Sequence, residues 1–489
     1  MKRIISLFSM LVLYNIANAT NYYFAVSGND SNAVNDLNHP YKTLTKLNKI
    51  LLAAGDTVFF KCNDVFRGQI TVTAKGTSSN PIVFTSYGTG NKPVISGAEI
   101  VSGWTKVDSM YERMLTQKMN NFFINDKEQI PARYPNIGRY LTYDSSSKNY
   151  LKDASLTSIP VSYINGSQVC LHSAQWCWEK SSIAAYNNNE KITFGTAVRL
   201  PGLFNYGYFM YDNIALLDTA NEFKFDSVSM KLTYQPPVGV VPDSVIAEAA
   251  VYNTGFAIQG TASYIVIKNI QIEKQTNIGI YLAGAGNQHI RVEQCVVGHQ
   301  YNYGILDKGK YNEISNCLFK EVDGIALMVS GGGSSCTIHH NSFHNIGPFR
   351  NSGVGTEING SAILLGFSDS NYIHHNDIDS TGYCGISADG TNNLVEKNTI
   401  KNVMLLNNDG AAIKSFGAGS YNNIFQNNFV TTSDGNTEGC YKPDFSTPAI
   451  YFDFNVNNTI IRNNTVYGRT QKGIFQNAGD SNNTIEGNV

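Results

Sequence analysis

The sequence carries little charge for its length. Only 15% of its 489 residues are Asp, Glu, Lys or Arg, and 36 basic residues nearly balance 38 acidic ones, giving a net charge of −2. Proteins that bind nucleic acids or anionic membranes concentrate positive charge on one surface, and this composition offers no such excess. We therefore expect neither nucleic acid nor an anionic membrane as a partner.

Long apolar runs are also missing from the sequence after Ala19. Lys2 and Arg3 precede an apolar run that ends at Ile16, and Ala17-Asn18-Ala19 has the small-x-small pattern of a signal-peptide cleavage site. That run is too short to span a bilayer. We expect residues 1–19 to be a signal peptide, cleaved near Ala19, and the protein to be secreted, periplasmic or at the cell surface without a membrane span.

Metal-type cysteine and histidine spacing is absent as well. The eight cysteines contain no CxxC pair, so we expect most to be small buried side chains, with Cys170 and Cys177 as the first pair to test for a disulfide. Two His-His pairs, at 339–340 and 374–375, occupy equivalent repeat positions. No carboxylate joins them at a ligand spacing, so stacking on the surface is expected and no metal site is predicted.

A short repeat, in which Asn follows an apolar residue by three positions, dominates the second half of the chain. Each copy ends with another apolar residue two positions after the Asn, and two early copies carry Cys at the Asn position. Stacked inward-facing Asn side chains would satisfy turn amides that water cannot reach. The Asn-position ladder comprises Cys295, Cys317, Asn341, Asn376, Asn398, Asn428, Asn464 and Asn488.

A second ladder of isoleucines runs in step with the first. Its members are Ile280, Ile305, Ile325, Ile363, Ile386, Ile413, Ile450 and Ile474. Two registers that repeat together at a base period of about 20–25 residues indicate stacked coils of parallel strands. A leucine-rich repeat would need a Leu consensus that is absent, and a propeller would need longer blades. The fold class expected is all-β: a single-stranded right-handed parallel β-helix, a pectate-lyase-like solenoid.

The first half of the chain predicts a cap and an insertion. A helix from Tyr41 to Ala54 would place Leu44, Leu47, Ile50 and Leu51 on one face and cover the first coil. The expected divisions are the cap and first coils at 20–103, an irregular β-rich insertion at 104–250, and regular coils at 251–489. Because the last repeat stops at Val489 without a cap, we expect a truncated chain or a covering partner.

Function in such a fold must lie on an outer face or in long loops, because the coil interior is packed. Oversized coils place long loops at about 344–362, 401–412 and 431–448. Loops of this length more often carry function or are disordered. From the first of them we assign His344, Arg350 and Glu357 to substrate binding.

Strand alternation selects further candidates. If the repeated Ile points inward, the residues one and three positions later point outward. The first outward column is Ser387, Lys414, Tyr451 and Phe475, and the second is Asp389, Phe416, Asp453 and Asn477. Two coils separate Asp389 from Asp453, which predicts a separation of roughly 10 Å. Asp389, Lys414 and Tyr451, together with Tyr383, are expected to bind substrate.

Several stretches resemble bacterial carbohydrate-active β-helix proteins, and most closely glycoside hydrolase family 141 and its relatives. They are residues 22–30 (YYFAVSGND), 55–58 (GDTV), 66–68 (FRG), 91–97 (NKPVISG) and 132–136 (ARYPN). Residues 221–226 (NEFKFD) are similar to that group's Gly-Glu-Trp-Tyr-Tyr-Asp stretch. Residues 409–413 (DGAAI) and 450–453 (IYFD) are similar to its Asp-x-Gly-Ala-Ile-Tyr and Ile-Tyr-Leu-Asp-Asp motifs.

The resemblance implies a polysaccharide-degrading hydrolase with two catalytic carboxylates. Matched motif by motif, these are Asp409 and Asp453, one as general acid and the other as nucleophile or base. Lys414 stands where the motif has Tyr, and Phe454 stands where it has a second Asp. Since Asp409 precedes its strand and Asp453 ends one, they meet only if the 401–412 loop folds back over the sheet.

Two other functions are compatible with the sequence. A polysaccharide lyase would use Lys414 as base and would hold Ca²⁺ with Asp389 and Asp453. A non-catalytic surface protein would bind a glycan without turnover. A hydrolase is expected to need no cofactor, and the sequence does not predict an oligomeric state.

Overall fold

The computed structural model describes residues 19–187, 189–200, 206–347, 360–432, 435–436, 439, 447–468 and 472–489. The predicted signal peptide therefore lies outside the described residues except for Ala19. Each coil contributes one strand to each of three long parallel sheets, so the chain winds as a right-handed parallel β-helix, with the hand that parallel crossover connections take. The predicted fold class is confirmed.

The three sheets each run along the helix axis. Sheet 1 consists of Asn21–Phe24, Thr57–Lys61, Ile82–Tyr87, Ile265–Lys268, Arg291–Glu293, Glu313–Ser315, Thr337–His339, Tyr372–His374, Leu394–Glu396, Ile424–Gln426, Ile460–Arg462 and Thr484–Glu486. Sheet 2 consists of Val65–Arg67, Val94–Ser96, Gln271–Glu273, Val296–Gly298, Leu318–Lys320, Ser342–Ile346, Asp377–Thr381, Thr399–Lys401, Phe429–Thr432 and Thr465–Gly468. Sheet 3 consists of Ile70–Val72, Thr254–Ile258, Ile278–Leu282, Tyr303–Asp307, Ile325–Ser330, Ile363–Gly366, Ile386–Ala388, Ile413–Phe416, Ile450–Asp453 and Ile474–Gln476.

The predicted Asn ladder forms a continuous column of hydrogen bonds. The backbone N–H of Asn376 donates to Oδ1 of Asn398 at 3.0 Å, and that of Asn398 donates to Oδ1 of Asn428 at 3.0 Å. The column continues to Asn488 and begins with a longer contact to the Cys317 sulfur. The asparagines from Asn341 to Asn464 are almost fully buried, so their amides supply the partners that buried turn groups need.

A second buried column, not predicted from the sequence, lies at the corner that follows sheet 3. There Cys336, Asn371 and Asn393 donate their backbone N–H groups to the amide oxygens of Asn371, Asn393 and Asn423, respectively.

The isoleucine ladder is confirmed at all but one position. Strand pairing places Leu327, not Ile325, between Ile305 and Ile363, while Ile325 pairs with Tyr303. Ile325 and Leu327 are two residues apart on one strand and both are buried, but the core of the coils contains Leu327 and not Ile325. Alternation along a strand identifies the buried face but does not distinguish these two positions.

The capping helix is present but much shorter than predicted. It spans Leu44–Leu47, with Thr43 as N-cap accepting from the backbone N–H of Lys46, and Leu44 and Leu47 pack into the β-helix core. The expected continuation to Ala54 is wrong. The Asn48 side chain bonds to the backbone of Gln69 and Thr71, and the side chain of Leu51, expected on the buried face, is 94% exposed.

Residues 98–250, called the insertion below, form three separate sheets with their own apolar clusters. The four-stranded sheet contains Lys127–Glu128, Phe122–Ile124, Ala247–Ala250 and Ala98–Ile100. The five-stranded sheet contains Ile130–Pro131, Glu222–Asp226, Lys231–Gln235, Met110–Met114 and Thr105–Val107. The largest contains Arg133–Tyr134, Gly207–Tyr211, Gln168–Ala174, Cys177–Ala185, Lys191–Phe194, Tyr150–Lys152 and Ser145–Ser147, and Leu141–Thr142 pairs at its side. Short helices span Ala154–Ser158, Val161–Ile164, Ile214–Leu216 and Pro242–Ser244.

The two ends of the insertion meet at Gly97. Its carbonyl accepts from the backbone N–H groups of Val251 and Tyr252, and its own N–H donates to Glu273 of the next coil. A Cβ at Gly97 would lie 2.4 Å from the Lys274 carbonyl oxygen, so only glycine fits this crossing. Because Ser96 pairs with Glu273, the coils on either side of the insertion stack directly.

Buried charge holds the insertion against the coils. The Nζ atom of Lys274, a side chain that is 1% exposed, lies 2.6 Å from Glu248 and 2.5 Å from Asp126, both on the insertion. Glu248 also pairs with Arg67 at 2.7 Å. Burial by itself would lower the pKa of Lys274, but the surrounding carboxylates outweigh it and raise the pKa. The ammonium group therefore stays charged within this interface.

The described cysteines are buried, and no disulfide joins them. Cys170 and Cys177 do not form the disulfide suggested by their spacing, since in the strand register Cys170 lies opposite Lys180 and Cys177 lies opposite Ala174. Among the residues described, no helix has the length and apolar character needed to cross a membrane.

Candidate functional site

A cavity of about 350 Å³ opens where sheet 3, the 401–412 loop and the insertion meet. Its volume lies at the small end of the roughly 300–1,000 Å³ typical of ligand pockets. The cavity is lined by Trp176, Tyr383, Ser387, Asp389, Asp409, Lys414, Phe416, Asp453 and Phe454.

Both predicted outward columns of sheet 3 contribute to this cavity. Strand pairing places Lys414 between Ser387 and Tyr451, and Tyr451 beside Phe475, as the first column requires. In the second column Phe416 pairs with Asp453, and its backbone N–H donates to Oδ1 of Asp389 at 2.8 Å. Asp389 and Asp453 are thus two coils apart, with Phe416 between them.

Asp453 lies at the centre of a dense set of donors. The Nζ atom of Lys414 is 2.9 Å from its Oδ2, while the Tyr451 hydroxyl at 3.0 Å and the Asn477 amide at 3.1 Å both donate to its Oδ1. Burial alone would lower the pKa of Lys414, but the acidic groups Tyr383, Cys384 and Asp453 raise it well above its usual range. Lys414 therefore presents a persistent cation to Asp453.

Asp409 reaches the same hydroxyl from the opposite side. The 401–412 loop folds back over the sheet, so that Tyr451 Oη lies 3.2 Å from Oδ1 of Asp409 and 3.0 Å from Oδ1 of Asp453. Because one hydroxyl contacts both carboxylates, the separation of these two oxygens cannot exceed the length of two hydrogen bonds, about 6 Å. Burial and these two carboxylates raise the pKa of Tyr451 well above its usual value, so the phenol keeps its hydrogen.

The backbone at Asp409 is held by two of the predicted binding residues. The Tyr383 hydroxyl donates to the Asp409 carbonyl at 2.9 Å, and Lys414 Nζ donates to the same carbonyl at 3.2 Å. Gly410 makes this close approach possible, since a Cβ there would lie 2.6 Å from the Tyr383 ring and 2.7 Å from the Met404 sulfur. Tyr383 and Lys414 therefore position the loop that carries Asp409.

Asp389 occupies a drier environment than the other two carboxylates. Its side chain is nearly buried, and burial raises its pKa to about 7, although the Lys414 charge and the Phe416 N–H lower it. At neutral pH this carboxyl is protonated in a substantial fraction of molecules and is able to donate a hydrogen bond as well as accept one.

The insertion contributes one wall through the hairpin of strands Gln168–Ala174 and Cys177–Ala185. At its tip, the Gln175 carbonyl accepts from the backbone N–H of Asn408, the residue before Asp409, at 2.7 Å. Trp178 Nε1 donates to the Leu406 carbonyl at 3.4 Å. Between these anchors Trp176 is partly buried and faces the cavity.

Most of the predicted site residues come together, but His344 does not join them. His344 lies on sheet 2, in the strand Ser342–Ile346 between Lys320 and Asp379, and is not among the residues that line the cavity. The sequence places His344 in a loop, whereas the strand extends past it. Arg350 and Glu357 lie outside the described residues.

Three aromatic lining residues were not assigned to the site from the sequence. Trp176 belongs to the irregular insertion, which the repeat pattern does not cover. Phe416 stands in the second outward column, and Phe454 stands where the similar motif has a second Asp. Phe454 has φ +63°, a rare conformation for a non-glycine residue. Strand alternation identifies Phe416, but no sequence pattern indicates that Trp176 reaches the same cavity.

The two histidine pairs stack as predicted on the outside of the coils. The rings of His339 and His374 lie 4.9 Å apart and those of His340 and His375 5.0 Å apart, nearly parallel in both cases. Within the part of the chain that is described, no three His, Cys, Asp or Glu side chains gather as a metal-binding group.

Comparisons with known proteins agree with the architecture. The family model of the right handed beta helix region matches residues 239–363. A solved structure described as a glycoside hydrolase is 17% identical, with a TM-score of 0.80 over 96% of this chain and 96% of that chain. The complex of XylC with xylose is 14% identical, with a TM-score of 0.59 over 92% of this chain and 70% of that chain. No curated protein sequence matches this chain.

These likenesses show the fold at identities too low to carry an activity across. The matched family model spans only the middle coils, while the first structural similarity extends over nearly the whole chain, insertion included. The chain is similar to these proteins in being a parallel β-helix.

Proposed function

We propose that the chain is an exported glycoside hydrolase in which Asp453 is the nucleophile and Asp409 the general acid. The main support for this proposal is that the Tyr451 hydroxyl contacts both carboxylates. A hydroxyl has one hydrogen to donate, so it serves one carboxylate as donor, and the other contact then needs a proton on the second carboxyl. The arrangement favours one protonated and one ionised carboxyl, the state that glycoside hydrolysis requires.

The local charges support this division of roles. Asp453 pairs with Lys414 and accepts hydrogen bonds from Tyr451 and Asn477, so three donors converge on it. Because Asp453 already serves as the acceptor of the Tyr451 hydrogen, the proton that the second contact requires is assigned to Asp409. Asp389, protonated in part near neutral pH, is proposed to bind a sugar hydroxyl.

The spacing of the pair favours retention of anomeric configuration. Retaining enzymes place their carboxyl groups about 5–5.5 Å apart and inverting enzymes about 6.5–9.5 Å apart. The oxygens of Asp409 and Asp453 that share the Tyr451 hydroxyl lie closer than the inverting range, so a water between them has too little room. Attack by Asp453 on the anomeric carbon would break the bond to the leaving oxygen as Asp409 protonates it, and water would then release the sugar.

Comparisons outside the site also support a carbohydrate substrate. Both structures reported above concern carbohydrate chemistry by name, one a glycoside hydrolase and the other a protein bound to xylose. The motif resemblance to glycoside hydrolase family 141 at residues 409–413 and 450–453 falls on the two proposed catalytic residues. Export is proposed from the signal-like segment that ends at Ala19, and secretion with a new N-terminus near Thr20 tests it.

The lyase alternative is weaker on electrostatic grounds. A lyase base must take up a proton, whereas the raised pKa of Lys414 keeps its ammonium protonated beside Asp453. Lyase action would release unsaturated products that absorb in the near ultraviolet, and their loss on adding a chelator would select this reaction. Tight glycan binding by the wild type without turnover would select a non-catalytic protein.

The decisive experiment is digestion of a glycan panel with reducing-end and ultraviolet detection. We expect D453N and D409N each to lose activity by roughly a thousandfold, with proton NMR of the wild-type reaction showing a retained anomer. D379N is the matched control, because Asp379 also pairs with a lysine, at 3.4 Å, but on sheet 2. Wild-type activity in a folded D453N protein would contradict the assignment.

A further inference from the structure

The described lining of the pocket is rich in carboxyl groups, and its one cation is already bound by protein groups. It carries three carboxylates, Asp389, Asp409 and Asp453, and one ammonium group. Lys414 Nζ is already engaged by Asp453, the Tyr383 hydroxyl and the Asp409 carbonyl. With the proton that the proposed mechanism gives to Asp409, the described lining carries one net negative charge while Asp389 is ionised and none once Asp389 is protonated. In neither state does it offer a net positive charge to a bound uronate.

The remaining lining is aromatic. Phe416 is 43% exposed and Phe454 is 51% exposed, and Trp176 faces the same cavity from the insertion. Contact of such aromatic surface with water is unfavourable, and a ligand that covers it with an apolar face gains free energy. The C–H face of a sugar ring is the apolar surface that such rings pack against, while its hydroxyls reach the carboxylates.

The position of Trp176 is fixed by contacts with the loop that carries Asp409. Gln175 on one side accepts from Asn408, and Trp178 two residues later bonds to Leu406. The ring stacked on Trp178 is that of His172, at 4.6 Å. Trp178 is thereby engaged in packing, whereas Trp176 is directed at the cavity.

We propose that the pocket binds an uncharged sugar ring against Trp176, so that the insertion determines which glycan the site accepts. This inference rests on the proposed hydrolase function and deepens it by naming the substrate class. Trp176 is a substrate-contacting residue, and the Gln175 backbone is a positioning group for the Asp409 loop.

Intrinsic fluorescence tests binding without turnover, because the protein has three tryptophans and the other two are buried. The probes are free monosaccharides: neutral pentoses and hexoses in one series, and glucuronic and galacturonic acid in the other. We expect a saturable change with at least one neutral sugar, and binding at least tenfold weaker for the acids. A uronic acid that binds more tightly than every neutral sugar, or no response to any neutral sugar, would overturn the proposal.

Variants at Trp176 test the stacking contact itself. W176A is expected to raise KM, and the Kd measured by calorimetry, by roughly three- to tenfold, with kcat changed less, and W176F to stay within about threefold of wild type. W176L keeps apolar bulk without a ring and serves if W176A fails to fold. Y467A, at a tyrosine that is 72% exposed on sheet 2, is the matched control and should change nothing.

The two proposals fail in different ways. If the protein hydrolysed only glycans that contain uronates, the proposed hydrolase function would hold and the neutral-sugar inference would be wrong. If the protein bound a neutral sugar, W176A weakened that binding and no glycan were cleaved, the hydrolase proposal would be wrong and the inference about Trp176 would hold. An unchanged KM and Kd in a folded W176A protein would refute the role of Trp176.

Discussion

The coils and the insertion are held together by different kinds of contact. From Asn341 onward the coils repeat the same amide bond to their neighbours, as between Asn398 and Asn428. The insertion instead docks through contacts that occur once, such as the buried ion pair of Lys274 with Glu248 and the hairpin tip at Gln175. Repeated contacts leave a periodic trace in the sequence, whereas single contacts leave none.

The proposed site depends on both kinds of contact. Asp453 stands on a strand whose register the coils determine, whereas Asp409 stands on a loop held by the insertion. Their meeting at the Tyr451 hydroxyl therefore requires that the insertion be docked correctly on the stack.

Removing the buried cation is expected to have the largest effect on stability. K274M would leave Asp126 without its cation and Glu248 with Arg67 as its remaining partner, and breaking a buried pair in this way costs up to about 3–5 kcal/mol. Calorimetry should show the insertion unfolding before the coils. K401M, which breaks the partly exposed pair with Asp379, should cost less than about 1 kcal/mol. Equal losses in the two variants would contradict the special role given to the docking contact.

The raised pKa of Asp389 is expected to make the free energy of unfolding depend on pH. Its folded pKa of about 7 lies above the value of about 3.9 in an unfolded chain, so the native state binds more protons between these values. Stability therefore falls as pH rises from about 4 to 7, by up to about 3 kcal/mol between pH 5 and pH 8. D389N should remove this dependence and raise Tm at pH 8, as measured by thermal unfolding in both buffers.

D379N provides the comparison for that measurement. Burial raises the pKa of Asp379, but hydrogen bonds from Asn402 and Ser380 and the Lys401 charge lower it below its usual value. Its contribution to stability is lost only as pH falls below the unfolded pKa. Substitution there should leave the difference between pH 5 and pH 8 unchanged, and a matching shift in both variants would refute the burial argument.

The smallest stability effect is expected within the repeated contacts. N398A removes the acceptor of the Asn376 N–H and the donor to the Ile373 carbonyl, leaving buried polar groups unsatisfied at a cost of about 1–3 kcal/mol. Urea unfolding measures the loss. T399A, at the exposed neighbour, should cost less than about 1 kcal/mol. If N398A were as mild as T399A, the Asn column would not be what stabilises the stack.

The features that the sequence predicts correctly are those that repeat from coil to coil. The ladder at Asn341 to Asn488 and the two outward columns through Lys414 and Asp453 follow from period and strand alternation, and the structure confirms the registers. The error at Ile325 arose where two buried residues lie two positions apart on one strand. The helix after Tyr41 was too long because Asn48 bonds to a neighbouring strand, a tertiary contact that helical periodicity does not contain.

The rest of the site was not predictable because it depends on contacts between distant segments. That the 401–412 loop folds back over the sheet depends on Gln175, which lies far earlier in the chain, and on Tyr383 and Lys414 holding the Asp409 carbonyl. The motif resemblance identified Asp409 without a geometric reason. Trp176 has no periodic neighbour, so nothing short of the folded chain assigns it to the pocket.

The junction at Gly97 has an evolutionary consequence. Both ends of the insertion leave and rejoin the stack at one residue, while the coils on either side pair across the gap through Ser96 and Glu273. Because its ends are adjacent, the connection could be lengthened, shortened or replaced at little cost in chain entropy. The carboxylate on the coil would be kept through such an exchange, and the aromatic wall would be replaced. Descendants of one ancestral stack could in this way acquire new sugar preferences by exchanging a cassette, without re-evolving the scaffold beneath it.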